Sequence, residues 1–186
     1  MKKAYVIHRW AGQPNSDWYP WLESYLEQKG YEVKILKMPH TKIPTIKSWV
    51  KFLQKEIEPS PETFLIGHSI GCQTILRYLS ASNAKKVGGI ILVAPWLTLK
   101  NLSGIEKVIA RPWLTRPIDF APVAKVSKKL AIFSENDRVV PIENAELFRK
   151  ELNPEIVIVK DKGHFDESDN IRDLEFLKKN LEEFFD

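Results

Sequence analysis

Six short apolar runs, separated by stretches with helical spacing, constrain the fold of this 186-residue chain more than any other feature. Most of the runs are continuously apolar rather than alternating, which is typical of parallel strands covered on both faces. They occupy residues 4–7, 32–36, 63–66, 87–93, 130–133 and 156–159. Strands that alternate with helices predict a doubly wound α/β domain with right-handed crossovers.

Two of the intervening stretches, and the segment after the last run, carry apolar stripes typical of amphipathic helices. The stripes are Trp18, Trp21, Leu22, Tyr25 and Leu26; Ile46, Trp49, Val50, Leu53 and Ile57; and, as a last helix, Ile171, Leu174, Leu177, Leu181 and Phe184. Residues 95–126 break the alternation, because they are rich in Trp and Pro and only weakly periodic. Long connections of this kind are usually functional or disordered, and the aromatic content argues against disorder. We therefore predict one domain over residues 1–186, with a short helical flap at 95–126.

The composition excludes several classes of protein. Hydrophobic residues make up 44% and charged residues 28%, with a net charge of +4, which is ordinary for a globular protein. The basic residues are interspersed, so we expect no nucleic-acid partner. No run approaches the roughly 20 apolar residues that span a bilayer, so we expect no membrane partner.

The single cysteine, Cys72, suits a reducing compartment, and the N-terminal apolar run is too short for a signal peptide. Both features favour a cytoplasmic location.

The pentapeptide Gly67-His68-Ser69-Ile70-Gly71 has the pattern G-x-S-x-G. It follows a predicted strand and opens a predicted helix, which is the context of a nucleophile elbow. Such a turn holds its serine in a strained conformation, and flanking glycines allow the backbone to approach closely. We predict Ser69 as a nucleophile and the amide of Ile70 as one oxyanion donor. A glycine-rich turn that binds phosphate is the alternative.

A serine nucleophile requires a histidine base. His164 lies directly after the last predicted strand, at the carboxyl edge of the sheet where the elbow serine also emerges. We expect His40 to be a surface residue and His68 to pack or bond beside the serine. We therefore predict His164 as the base.

Asp137 follows the fifth predicted strand, so it too belongs to the carboxyl edge. The chain order Ser, Asp, His is the one found in α/β-hydrolases and differs from the orders in chymotrypsin and subtilisin. We predict Asp137 as the acid that orients His164. Glu135, Asp119 and Asp166 are the other candidates for this acid. Each of them could instead be a solvated loop carboxylate, which is the usual state of a carboxylate in a turn.

The loop after the first strand contains His8, Arg9 and Trp10. In this fold that loop supplies the second oxyanion amide, and we predict Trp10 for it, with Arg9 as the next choice. An apolar pocket lined by Trp10, Trp96, Leu97 and Trp113 would suit an acyl or aryl group. His40 has no neighbours that could complete a metal site, so we expect neither a metal nor an organic cofactor.

The chain resembles the retinoblastoma-binding protein 9 and YdeN family of small serine hydrolases, within the α/β-hydrolase superfamily. The residues that carry the resemblance over nearly the whole length are Tyr5-Val6-Ile7-His8, Pro14-Asn15-Ser16-Asp17-Trp18-Tyr19-Pro20-Trp21-Leu22, Gly67-His68-Ser69-Ile70-Gly71-Cys72, Thr115-Arg116-Pro117, Asn136-Asp137, Val140-Pro141 and Gly163-His164-Phe165. The resemblance implies a trimmed α/β-hydrolase fold: a single three-layer domain with about six parallel strands, helices on both faces and a minimal cap. It also implies that Ser69, Asp137 and His164 are catalytic.

Two departures from the family pattern matter. Arg9 replaces a common glycine in the oxyanion loop, and the Leu-x-Cys-x-Glu signature for binding the retinoblastoma protein is absent, because Gln73 and Thr74 follow Cys72. We therefore expect no retinoblastoma-protein partner, and the oligomeric state stays undetermined. The function we expect is hydrolysis of small soluble carboxylic esters rather than long-chain lipids. The alternatives are thioester or amide hydrolysis with the same residues, and a protein-interaction module with weak or vestigial activity.

Overall fold

A single parallel sheet organises the computed structural model, which describes residues 1–81 and 86–186. Its six strands run in the order β2-β1-β3-β4-β5-β6, and every neighbouring pair is parallel. The strands are β1 (Lys3–Ile7), β2 (Glu32–Leu36), β3 (Thr63–His68), β4 (Gly89–Val93), β5 (Lys128–Ser134) and β6 (Glu155–Val159). The predicted strands are thus confirmed, with ends that shift by up to two residues.

Burial along the strands follows their place in the sheet. The central strands β3 and β4 are buried at every position, because helices cover both faces. The edge strand β6 is only partly covered, and Ile158 is 47% exposed. In the register of the sheet, Ile7 of β1 lies opposite Gly67 of β3. This pairing brings the loop after β1 next to the turn after β3.

Helices connect the strands and form the two outer layers. They are α1 (Tyr19–Gln28), α2 (Ile46–Glu56), α3 (Ile70–Ser80), α4 (Gly104–Thr115), α5 (Phe120–Ala124), α6 (Asn144–Leu152) and α7 (Lys178–Phe185). Along one face α2 packs on α3, α3 on α5 and α5 on α6. A right-handed crossover from β1 back to β2 places α1 on the opposite face. The C-terminal end of α7 approaches the end of α1, where Asp186 pairs with Lys29 and the ring of Phe185 meets Tyr31.

The C-terminal apolar stripe differs from the prediction of one helix beginning near Ile171. The α-helix α7 starts only at Lys178, after a short 3-10 helix at Glu175–Leu177. Asn170 has a left-handed φ of 61°, and the amide of Ile171 donates to the carbonyl of Asp166. This turn ends the preceding segment, so the stripe is buried without being continuously helical.

Residues 95–126 contain two helices with different surroundings. The helix α5 packs on α3 and α6 and so belongs to an outer layer. The helix α4 begins with a capping box between Ser103 and Glu106, and its carboxyl end is fastened to α3, because Arg77 donates to the carbonyl oxygens of Trp113 and Arg116 at 2.8 Å each. Within residues 1–81 and 86–186, no helix is long and apolar enough to cross a membrane.

Candidate active site

The turn between β3 and α3 holds Ser69 in a strained backbone conformation. Its φ of 54° and ψ of −114° lie in a region that side-chain-bearing residues rarely adopt. The flanking glycines permit the turn: a Cβ at Gly67 would lie 2.7 Å from the amide nitrogen of Cys72, and one at Gly71 would collide with the carbonyl oxygen of Ile7. The predicted elbow is therefore present, and it projects Ser69 beyond the carboxyl edge of the sheet.

The side chains predicted as nucleophile, base and acid form one hydrogen-bonded row. Nε2 of His164 lies 2.9 Å from Oγ of Ser69, and Nδ1 of His164 lies 2.8 Å from Oδ2 of Asp137. All three residues are buried. Because an ionised carboxylate only accepts hydrogen bonds, Nδ1 carries the imidazole proton and Nε2 is left to accept from the Ser69 hydroxyl.

Asp137 is held as a carboxylate by its surroundings. Its Oδ1 accepts hydrogen bonds from the amides of Val139 and Val140 at 2.8 and 2.9 Å. Burial raises the pKa of the Asp137 carboxyl, but the hydrogen bond and charge of His164 together with these two amides outweigh burial and leave the pKa below its usual value. The group is therefore ionised at neutral pH.

The competing carboxylates have other surroundings. Glu135 is exposed, and Asp119 caps α5 by accepting from the amide of Ala121. Asp166 pairs with Arg138 at 2.9 Å. The geometry thus favours Asp137 over each of them.

The loop that carries His164 is tied to the loop after β5. Gly163 has a φ of 52°, and its amide donates to Oδ1 of Asn136 at 2.9 Å. The amide of His164 donates to Asp169 at 2.6 Å, and Asp169 in turn pairs with Arg138. These bonds fix the backbone on both sides of the imidazole.

The two backbone amides predicted as oxyanion donors, those of Ile70 and Trp10, belong to residues that line the same cavity as Ser69. Ile70 supplies the first amide of α3, which has no acceptor inside its own helix. The carbonyl of Arg9 accepts from Nδ1 of His8 at 2.8 Å and from the amide of Gly12 at 3.0 Å. Because the peptide between Arg9 and Trp10 is trans, the Trp10 amide points away from that carbonyl. Among the described residues, no hydrogen-bond acceptor takes the Trp10 amide.

The guanidinium of Arg9 is held by a buried carboxylate. Arg9 forms a bidentate ion pair with Asp17, in which Nε donates to Oδ2 at 2.8 Å and Nη2 donates to Oδ1 at 3.1 Å. Burial alone would lower the pKa of Arg9, but the Asp17 carboxylate raises it above its ordinary value. The charge that replaces the family glycine is therefore compensated by a buried carboxylate.

A cavity of about 770 Å³ opens in front of Ser69. Trp10 and Trp96 line it as predicted, and Ile70 lines it as well. The predicted lining differs from the structure at two positions. Trp113 is buried edge-on against Trp49 and donates from Nε1 to the carbonyl of Pro44, because it faces the core side of α4.

Leu97 is the second position that lies outside the cavity lining. Its amide is held by Oδ1 of Asn144 at 2.7 Å, which directs this segment towards α6. The walls that sequence reasoning missed come from the outer side of α4 and the segments before it, chiefly Leu99, Leu102, Ile105 and Ile109, together with Ile43 on the opposite rim. The helical spacing of Ile105 and Ile109 in α4 was the available signal. Across the described ranges, no group of three or more His, Cys, Asp or Glu side chains could hold a metal ion.

Comparisons with known proteins identify the family of the chain. A sequence model of the serine hydrolase family matches residues 4–183. YdeN of Bacillus subtilis (strain 168) is 28% identical over 99% of this chain and 96% of its own length. The rat serine hydrolase RBBP9 is 26% identical over 80% of this chain and 77% of its own length.

Solved structures share the fold. The crystal structure of the B. subtilis ydeN gene product superposes with a TM-score of 0.86 at 25% identity, covering 100% of this chain and 99% of that one. Est1E from Butyrivibrio proteoclasticus, at 14% identity, gives 0.73 over 99% of this chain and 88% of its own, a likeness of fold alone. The predicted α/β-hydrolase fold is confirmed, and the chain belongs to the serine hydrolase family.

Proposed function

We propose that this protein is a carboxylesterase that hydrolyses soluble esters through a covalent acyl-enzyme on Ser69. The observation that carries the proposal is the continuous row Ser69–His164–Asp137, with hydrogen-bond distances of 2.9 and 2.8 Å. A serine hydroxyl is a weak nucleophile until a base removes its proton. The row supplies that base and a buried carboxylate that fixes its tautomer.

In the acylation step, Ser69 Oγ attacks the ester carbonyl carbon while Nε2 of His164 takes the hydroxyl proton. The negative charge that develops on the carbonyl oxygen accepts hydrogen bonds from the amides of Ile70 and Trp10. The bond to the leaving alkoxide then breaks, and His164 returns its proton to that oxygen. Asp137 stabilises the imidazolium throughout without taking its proton.

Deacylation repeats the sequence with water as the nucleophile. His164 removes a proton from water, which attacks the acyl carbon, and the same two amides hold the second oxyanion. Collapse of the intermediate breaks the bond to Ser69 Oγ and returns the proton to the serine. The product is a free carboxylic acid, and the residues are restored to their starting state.

The cavity supports an apolar acyl or aryl group of modest size. Its volume of about 770 Å³ lies in the range of pockets that enclose small organic ligands. The walls are mainly aliphatic and aromatic and include Ile70, Trp96 and, on α4, Ile109. We therefore expect small soluble esters to react faster than long-chain lipids.

Thioesters and amides are the second substrate class, because they are attacked by the same groups. A protein-interaction role with vestigial hydrolysis is less well supported, because the complete hydrogen-bonded row would then serve no purpose. The buried, unpaired Cys72 suits a reducing compartment, and a cytoplasmic location is part of the proposal.

A fluorophosphonate probe at neutral pH tests the proposal directly. We expect strong labelling of the native protein and none in Ser69→Ala or His164→Ala. Ser127→Ala and His40→Ala, which alter an exposed serine and an exposed histidine, serve as matched controls and should label like the native protein. A folded native protein that does not label, and that hydrolyses no member of a panel of esters, thioesters and amides, would contradict the proposed function.

A further inference from the structure

His68, the residue before the nucleophile, is fully buried and takes no part in the row of catalytic side chains. Its Nδ1 lies 2.7 Å from the hydroxyl of Tyr19, and its Nε2 lies 2.8 Å from the backbone carbonyl oxygen of His164. The Tyr19 hydroxyl also accepts a hydrogen bond from the amide of Arg9 at 3.0 Å. These contacts form a polar chain from the loop after β1 to the loop after β6.

The chemistry of the groups fixes the direction of every hydrogen bond in this chain. A carbonyl oxygen only accepts, so the proton of His68 lies on Nε2. Burial, with a contribution from nearby His164, lowers the pKa of His68 to about 3, so the ring is neutral and Nδ1 is an acceptor. Tyr19 must therefore donate to Nδ1, which leaves its oxygen to accept from Arg9. Only this arrangement of protons satisfies all four groups.

The two ends of this polar chain of hydrogen bonds lie next to the groups proposed to react. Arg9 immediately precedes Trp10, whose amide is the proposed second oxyanion donor, and His164 is the proposed base. The rings of His68 and His164 lie 5.4 Å apart between centroids, and Tyr19 packs edge-on against His68 at 5.8 Å. Small movements of either loop would change the distances on which proton transfer and oxyanion binding depend.

We propose that Tyr19 and His68 are positioning residues that hold the oxyanion loop and the loop of the catalytic histidine in register for the reaction. The inference rests on the proposed esterase function. Neither residue lines the cavity in front of Ser69, so neither contacts the acyl group. Loss of either should therefore slow the chemical steps and leave substrate binding nearly unchanged.

The neutral state of His68 is part of this role. During acylation His164 becomes an imidazolium, and a second cation within van der Waals reach would oppose that charge. A neutral donor to the His164 carbonyl fixes the backbone without this repulsion. An uncharged side chain that donates a hydrogen bond to the His164 carbonyl should accordingly preserve part of the hydrolase activity.

The test compares two tyrosines of helix α1. Tyr19→Phe removes the linking hydroxyl and leaves the Arg9 amide and Nδ1 of His68 without a partner. Tyr25→Phe is the matched control, because the Tyr25 hydroxyl is buried and has no hydrogen-bond partner among the described residues. For a short-chain ester we expect kcat of Tyr19→Phe to fall by about tenfold or more, because two hydrogen bonds of ordinary strength are lost. KM should stay within about twofold, and Tyr25→Phe should match the native enzyme.

Two further variants separate positioning from packing. His68→Gln can keep an N–H for the His164 carbonyl, so it should retain more activity than His68→Leu, which keeps no polar atom. The loss of kcat in the double variant Tyr19→Phe/His68→Leu should be smaller than the product of the two single losses, because both substitutions interrupt the same chain of hydrogen bonds. Each rate is divided by the concentration of active sites, measured by titration with a fluorophosphonate. Unfolded protein therefore does not lower the value of kcat.

The outcomes distinguish this inference from the proposed function. A native protein without hydrolase activity would overturn both. An active native protein with equal kcat in Tyr19→Phe and Tyr25→Phe would overturn the inference and leave the function standing. A rise in KM without a fall in kcat would also overturn it, as would fully additive losses in the double variant.

Discussion

Asp137 divides its two carboxylate oxygens between different partners. Oδ1 accepts from the backbone amides of Val139 and Val140, whereas Oδ2 faces Nδ1 of His164. In Asp137→Asn the remaining oxygen can keep both backbone bonds, but the new amide group presents hydrogens to Nδ1. His164 must then carry its proton on Nε2, where it can no longer accept from Ser69.

We therefore expect Asp137→Asn to lower kcat for a short-chain ester by about 10⁴-fold, as in a serine protease with the same replacement. The midpoint of thermal unfolding should change little, because the loop keeps its backbone bonds. Glu135→Gln, which alters the exposed carboxylate two residues earlier, is the control and should retain full activity. Equal effects of the two substitutions on kcat would remove Asp137 from the proposed mechanism.

At the scale of elements, the approach of α3 to the end of β1 sets the geometry of the site. A Cβ at Gly71 would meet the carbonyl oxygen of Ile7 and lie 3.0 Å from that of His8. Both obstacles are backbone atoms, so β1 and α3 would have to separate. Since His8 begins the oxyanion loop, that movement would also displace the Trp10 amide.

Gly71→Ala should consequently reduce the free energy of unfolding by about 1–3 kcal/mol, as overpacking typically does, and should lower kcat as well. Gly104→Ala provides the comparison, because a Cβ at the start of α4 meets nothing within 4 Å. Helix propensity predicts that this control is neutral or slightly more stable. Urea unfolding of both variants measures the difference, and a Gly71→Ala protein as stable as the control would contradict the close approach.

Helix α4 presents one side to the cavity and another to solvent. Ile109 lines the cavity, whereas Val108 is 68% exposed and lies outside the lining. We expect Ile109→Trp to occupy part of the acyl space and to lower kcat/KM for hexanoyl esters by tenfold or more, roughly the effect of removing room for one or more methylene groups. Acetyl esters should be affected less.

Val108→Trp adds the same bulk on the neighbouring position of the helix. In Val108→Trp, kcat/KM should depend on acyl length as it does in the native protein. If both tryptophan variants give the native profile, the acyl group does not bind beneath α4.

The sheet and the row of reactive side chains could be predicted from the sequence because both depend on short-range rules. Continuous apolar runs specify buried parallel strands, and the carboxyl ends of those strands meet at one edge. Ser69, Asp137 and His164 each follow a strand directly. Their chemistry and chain order then suffice to bring them together.

The pocket walls and the last helix depend on side-chain directions that the sequence pattern does not fix. Trp113 packs against the core because α4 turns that face inward, and Ile109 takes the place in the cavity wall. Apolar spacing near Ile171 indicated burial correctly but not helical backbone. The role of His68 was also hidden, since its two partners, Tyr19 and the carbonyl of His164, are distant in sequence.

The buried histidines make the stability of the whole domain sensitive to acid. Burial lowers the pKa of His8, and burial together with His164 lowers that of His68 to about 3, whereas both would titrate near 6.5 in the unfolded chain. At the site of His68 the unfolded chain therefore binds more protons than the folded one between about pH 3 and 6.5, and the lowered pKa of His8 acts in the same direction. Stability from this source is complete above pH 6.5 and declines as the pH falls.

His68→Gln removes one of these titrating groups, so its free energy of unfolding should fall less steeply with acidification than that of the native protein. Between about pH 5 and 5.5 the two slopes should differ by about 1.4 kcal/mol per pH unit, the value for one proton. Asp137 also has a lowered pKa, but it acts in both proteins and cancels in the comparison. Asp17, whose pKa His68 helps to lower, titrates near 3.9 in the unfolded chain, so its effect is small above about pH 5, where the slopes are compared. Urea unfolding at several values between pH 4 and 7.5 measures the two curves. Parallel curves would mean that His68 is protonated in the folded protein, which would contradict the proton arrangement derived for its contacts with Tyr19 and His164.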